Sequence, residues 1–138
     1  MTLPLYSDFS DGGQTDFDAA IDYLTFSIDA LYAERFTERL GEIISALVVR
    51  VAQEIASNGK PFDPTHEGAS LRFSRPVHRE TLRMGKTRTR RNSSGLWYVY
   101  YALEDRNGAD KADTLVIVAV RHSAAAPFDI RVSENGAP

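Results

Sequence analysis

Eight of the sixteen Lys and Arg residues fall between Arg72 and Arg91, a stretch that holds a single acid, Glu80. The stretch carries +7 in a chain whose net charge is -3, so the remaining residues carry -10. Charge segregated in this way points to a polyanionic partner that the overall balance would not suggest. If residues 86–91 are extended, Lys86, Arg88 and Arg90 project to one side, and Thr87, Thr89 and Arg91 to the other. Three cations would then line one face at intervals of about 7 Å. The next apolar run, LWYVYYAL from Leu96, offers aromatic side chains to both faces. Cations beside aromatics suit RNA or single-stranded nucleic acid, through phosphate pairing and base stacking. Charge alone leaves two other readings open: a positive groove for an acidic protein segment, and a solvated sheet edge that resists aggregation. Arg79, Arg83, Lys86, Arg88, Arg90 and Arg91 are the candidate binding residues on the first two.

Cleavage of RNA through its 2′-hydroxyl needs a base, an acid for the leaving oxygen, and cations for the charged phosphorane. The candidates are His122 as acid or base, Glu80 as base, and Arg121, Arg83, Lys86, Arg88 and Arg90 as cations. A structural strand-end histidine is the competing reading of His122. Arg121 either holds a phosphate or pairs with an acid near the helix ends, and strict alternation puts it on one face with Leu115, Ile117 and Ala119. His66, in a loop, and His78, close to Pro76, are weaker candidates. The histidines are 12 and 44 residues apart with no cysteine in the chain, which argues against a zinc site. The run from Asp105 to Asp110 sets oxygen-bearing side chains at Asp105, Asn107 and Asp110 but lacks the sixth-position glycine and the later glutamate of a calcium loop, so a hairpin loop is expected. Neither a phosphate-cradling glycine loop nor a nucleophile elbow is present, and no cofactor is expected.

The elements that position these residues change period along the chain. Residues 1–10 hold a weakly alternating first strand, which Gly12-Gly13 should break. Thr15 or Asp16 then caps a helical region over 16–57. Phe17, Ile21, Leu24 and Ile28 recur at helical spacing, and Asp29 re-caps the chain. A second, longer stripe runs from Leu31 through Phe36, Leu40, Leu47 and Val51 to Ile55, and Asn58-Gly59-Lys60-Pro61 stops it. Two adjacent amphipathic helices predict an antiparallel hairpin; one continuous helix is the alternative. Residues 60–70 are expected to be a loop. Residues 71–122 alternate at period 2 and predict a mainly antiparallel sheet, with Leu71 to Phe73 opening a strand and the stretch from Val77 to Met84 extended. The run from Thr114 to Val120 is apolar on both faces, which predicts a central strand. Residues 123–138 form a terminal element and tail. The whole is one α+β domain over 1–138, a helical hairpin packed on a mainly antiparallel sheet in the order β-α-α-β-β-β.

The class that follows is a cytoplasmic domain. No apolar run reaches the roughly 18 residues of a membrane span. The start, MTLPLYSDFSD, lacks the basic and apolar regions of a signal peptide. The absence of cysteine suits a reducing compartment. No membrane partner is expected.

From Phe17 to Asp129 the chain resembles the RelE/ParE superfamily of bacterial type II toxins, the plasmid stabilisation proteins. FDAAIDYLTFSIDALYAERFTERLGEIISAL is similar to the family's helical hairpin, SGLWYVYYALED to its central strand, and DTLVIVAVRHSAAAPFD to its closing strand, which ends in Arg-His or a similar pair. The resemblance implies a toxin neutralised by a cognate antitoxin. It implies one of two activities: RelE-like cleavage of mRNA on the ribosome, with His122 and Arg121 as the catalytic pair, or ParE-like poisoning of DNA gyrase without nuclease chemistry. RelE-like nucleases often carry a Tyr or a second basic residue shortly after the closing strand. Here Ser123-Ala124-Ala125-Ala126-Pro127-Phe128 follows, which favours the ParE-like branch. A non-toxic binding module on the same scaffold is the third class.

Overall fold

The computed structural model describes residues 4–85 and 95–125. The described elements are β1 (Tyr6–Phe9), α1 (Asp11–Ser27), α2 (Ala30–Asn58), α3 (Glu67–Phe73), β2 (His78–Arg83), β3 (Leu96–Glu104) and β4 (Thr114–His122). The sheet order is β1-β4-β3-β2, with β1 parallel to β4 and the other pairs antiparallel. The fold is α+β, as its pattern predicts, and β4 is an interior strand, buried at every residue from Thr114 to Val120.

α1 begins earlier than expected. Ser10 caps it, accepting from the Gly13 N–H at 3.0 Å, while the Ser10 N–H donates to the Ile117 carbonyl at 3.0 Å. A Cβ on Gly13 would sit 2.0 Å from that same carbonyl oxygen. β1 ends at Phe9, ahead of the glycines, and Gly13 lies inside α1, where its lack of a side chain lets the first helical turn close directly on β4. Asp16, expected as a possible cap, lies inside α1, and its Oδ2 accepts from the Val120 N–H at 3.1 Å.

α1 and α2 form the hairpin. Asp29 caps α2 by accepting from the Tyr32 N–H at 2.8 Å, and Gly59 ends it in the left-handed region at φ 79°. α2 buries Ala33, Phe36, Leu40, Leu47 and Val51 at spacings of three, four and seven. With Ala20 and Leu24 of α1 they meet Leu82, Trp97, Val99, Tyr101, Leu115, Ile117 and Val120 of the sheet. Each large side chain buried here contributes about 1.5–3 kcal/mol. The Phe36 and Trp97 rings lie 4.8 Å apart, centroid to centroid.

Residues 71–73 are a correction: they close helix α3 rather than open a strand. His66 caps α3 through Nδ1, which accepts from the Ala69 N–H at 3.0 Å, so the end of the expected 60–70 loop is helical too. Ala69 and Phe73, four apart, turn one stripe toward Tyr98, Tyr100, Val116 and Val118 on the second face of the sheet. A short stripe of this kind fits one helical turn as well as a strand, and the cap decides it. Ser74 at φ 58° then turns the chain into β2.

β4 carries an extra residue. Tyr101 pairs with Ile117 and Tyr100 with Ala119, which leaves Val118 as a β-bulge. Leu115 and Ile117 face the helices, Val118 and Ala119 the other side, and Val120 the helices again. Arg121 therefore shares a face with Ala119 but not with Leu115 and Ile117, as unbroken alternation had implied.

Candidate functional site

β2 places its side chains by simple alternation. His78, Glu80 and Leu82 turn toward the helices; Arg79, Thr81 and Arg83 turn to the second face, and all three are exposed. The Arg79 guanidinium lies 4.3 Å from the centroid of the Tyr98 ring, from the neighbouring strand. Burial pushes the Tyr100 phenol up, an effect partly offset by the Arg79 guanidinium beside its hydroxyl. His66 stands edge-on to Tyr100 at 5.3 Å. Burial, and then the charge of Arg79, hold the His66 imidazole below its ordinary value, which suits a cap whose Nδ1 must stay bare. The result is a small surface of cations and aromatic faces, with no carboxylate paired to Arg79 or Arg83 among the described residues. Such a surface can pair with phosphates or carboxylates and stack on planar groups. Lys86, Arg88, Arg90 and Arg91 lie outside the described residues. Their segment leaves and returns where the Met84 N–H donates to the Gly95 carbonyl at 2.6 Å.

The strand end holds the other candidates. Arg121 pairs across the sheet with Tyr98, and its Nε lies 3.7 Å from Asp16 Oδ2, so it forms an ion pair with an acid in the first half of α1. His122 faces the opposite way. Its ring stands edge-on to buried Trp97 at 5.0 Å, and its Nδ1 accepts from the Ala124 N–H at 3.1 Å. Glu80, the candidate base, also lies on the helix side, where its Oε2 accepts from Arg50 at 2.9 Å.

Arg50 is a residue that sequence reasoning missed. On α2 it meets three carboxylates: Asp63 at 2.8 Å, Glu80 at 2.9 Å and Glu54 at 3.3 Å. Glu54 is almost buried and also accepts from the Phe62 N–H at 3.1 Å. The Tyr101 hydroxyl donates to Asp63 at 3.4 Å, and burial first, then the Asp63 charge, push that phenol up. His78 is buried beside it, its ring stacked on Tyr101 at 5.2 Å and its Nδ1 3.0 Å from the Asp63 carbonyl. This network pins residues 60–65, the unexplained part of the expected loop, to α2 and β2. Next to it a cleft of about 890 Å³ opens between Ile55, Phe62, His78 and Leu103, and is also lined by exposed Lys60 and Lys111. Only the i, i+4 spacing of Arg50 and Glu54 was a sequence signal for the network.

The loop from Asp105 is closed by its own acids. Asp105 accepts from the N–H groups of Gly108, Ala109 and Asp110, and Asp113 from those of Arg106 and Asn107. The oxygens that these acids would offer to calcium are taken by backbone. Among the described residues no group of three or more His, Asp or Glu is placed to hold a metal, and no helix is long and apolar enough to cross a membrane. Comparison with protein-family models, with curated proteins and with solved structures finds no match to this chain.

Proposed function

We propose that the chain is the toxin of a bacterial type II toxin–antitoxin pair, of the ParE-like kind that inhibits growth through DNA gyrase and is neutralised by a cognate antitoxin. The α+β frame, with its helical hairpin on a mainly antiparallel sheet, is the frame that the sequence resemblance implies. Fold alone does not choose an activity, so the choice rests on the strand end. The observation that carries it is the separation of His122 and Arg121. Adjacent on β4, they point to opposite faces, one packed on Trp97 and the other paired with Asp16. Glu80 is tied to Arg50. General acid–base cleavage needs its groups around one phosphate, within hydrogen-bond reach. A protein that works by binding a target needs no such convergence. Its partner surface is the exposed cationic face of Arg79 and Arg83, which suits the acidic segment of an antitoxin.

The mRNA interferase reading keeps one observation in its favour, the guanidinium of Arg79 lying over the Tyr98 ring, a pairing that also suits phosphate and base. Induction of the protein in a bacterium without any antitoxin, with protein and DNA synthesis pulse-labelled separately, decides between them. DNA synthesis is expected to stop first while translation continues. Early collapse of translation, lost in His122→Ala, would instead establish the interferase. Unchanged synthesis of both, with soluble protein confirmed, would leave a binding module without toxicity.

A further inference from the structure

The side chains of α2 become smaller toward its end. Phe36, Leu40, Leu47 and Val51 are packed into the core, but Ala52 and Ala56 follow on either side of Ile55 and leave room. Residues 59–65 form a second wall around that room, and Leu103 of β3 a third. The cleft of about 890 Å³ is the result. Small-molecule sites occupy about 300–1,000 Å³ and are usually preformed. This one is held open from outside: the Phe62 N–H donates to Glu54 at 3.1 Å, and Asp63 is paired with Arg50 at 2.8 Å. Binding therefore need not order the wall first. The Phe62 ring stays 62% exposed even so.

His78 borders the cleft and is only 7% exposed. Its Nδ1 lies 3.0 Å from the Asp63 carbonyl, which can only accept, so Nδ1 carries the proton and donates. Nε2 of the neutral ring is then a bare acceptor, with no hydrogen-bond partner among the described residues. A buried polar atom is normally paired, and this one borders an open space. Charge gives a second observation. Of three cations in the lining, Arg75 is paired with Glu104 at 2.6 Å, while Lys60 and Lys111 are exposed and have no ion pair among the described residues. Asp110 is the lining carboxylate left without a cation among the described residues, since Asp63 is held by Arg50. Two lysines less one aspartate leave the lining with one unpaired positive charge.

We infer that this cleft binds a small hydroxylated aromatic acid. Its carboxylate pairs with Lys60 and Lys111, its ring body covers Ile55, Phe62 and Leu103, and its hydroxyl donates to His78 Nε2. The unpaired charge favours an anion. The Phe62 ring offers its face to an aromatic body. An acceptor left bare discriminates against analogues that bring no donor. His78 and α2 put the site on the helix side of β2, away from Arg79, and it does not depend on the toxin reading.

The probe is hydroxybiphenyl carboxylate, with hydroxyl and carboxylate at opposite ends, titrated into the full chain by calorimetry. Biphenyl carboxylate removes the hydroxyl, and the methyl ester of the probe removes the charge. Loss of the hydroxyl is expected to weaken binding about fivefold. Lys60→Ala with Lys111→Ala is expected to weaken the acid about tenfold and to leave the ester unaffected. Ala56→Phe fills the cleft from α2 and should abolish binding of all three. These positions are exposed, and circular dichroism checks that the fold is kept. Equal affinity of wild type for the probe and either analogue would overturn the inference, as would no binding of the probe at millimolar concentration. Undiminished binding to Ala56→Phe would place the probe elsewhere and overturn it too. So would tighter binding of an acetylated peptide ending in tyrosine, because the cleft would then hold a protein C-terminus.

Discussion

Arg50 and Arg79 lie on opposite faces of one strand layer and do opposite things with the same side chain. Arg50 reaches β2 from α2 and is surrounded by Glu54, Asp63 and Glu80. Arg79 rises from β2 itself, on the other side, and lies over the ring of Tyr98, with no carboxylate paired to it among the described residues. The first joins three segments of chain. The second joins only side chains of the neighbouring strand, Tyr98 and Tyr100, and stays on the exposed surface. The difference lies in what each guanidinium meets: acids from three segments converge on Arg50, and the ring of Tyr98 lies under Arg79.

Removing Arg50 should break that contrast most severely. Arg50→Ala leaves Glu54 almost buried beside Asp63 and Glu80 with no cation. Loss of a buried partner is strongly destabilising, but Arg50 is 38% exposed and water screens part of the effect. A loss of about 2 kcal/mol is expected from urea unfolding. Arg79→Ala should cost no more than about 1 kcal/mol, the worth of a partly exposed cation–π contact. Under the proposed function its main effect should be on affinity for the antitoxin, in a pull-down or titration. Equal destabilisation by the two substitutions would erase the distinction. The smallest effect is a pH dependence centred on His66. Its folded value lies below the ordinary 6.5. The unfolded chain therefore binds the proton more readily, and stability falls as pH drops from about 6.5 through the lowered folded value. Above 6.5 the contribution is complete. NMR titration of His66 in Arg79→Ala should show its value rising toward the ordinary one, since the second cause of the shift has gone.

Much of this frame was legible in the chain. The stripe from Leu31 to Ile55, the re-capping Asp29, the stop at Gly59 and the doubly apolar run from Thr114 were strong local signals, and tertiary structure agrees with each. The failures have a common cause. Thr15 or Asp16 looks like the cap of α1, but Ser10 caps it, because Gly13 lets the first turn close on a strand more than a hundred residues away, where a Cβ would come within 2.0 Å of the Ile117 carbonyl oxygen. Leu71 to Phe73 looks extended until His66 is known to cap the turn before it. At the candidate site, the exposure of Arg79 and Arg83 follows from alternation in β2. The network around Arg50 does not, because Asp63 and Glu80 reach it only through folding, and neither stands at a spacing that a helix or strand would reveal.

The bulge at Val118 has a consequence for how such strands change over time. The extra residue is absorbed where it stands: Val118 and Ala119 share a face, and Arg121 and His122 keep the cross-strand partners that a strand without it would give them. Deleting Val118 would restore unbroken alternation and still leave Arg121 opposite Tyr98 and His122 opposite Trp97. A single-codon insertion or deletion at such a point can thus be accepted without moving an ionisable group from one side of the sheet to the other. Strict alternation counted from Leu115 misplaces the four residues from Ala119 to His122.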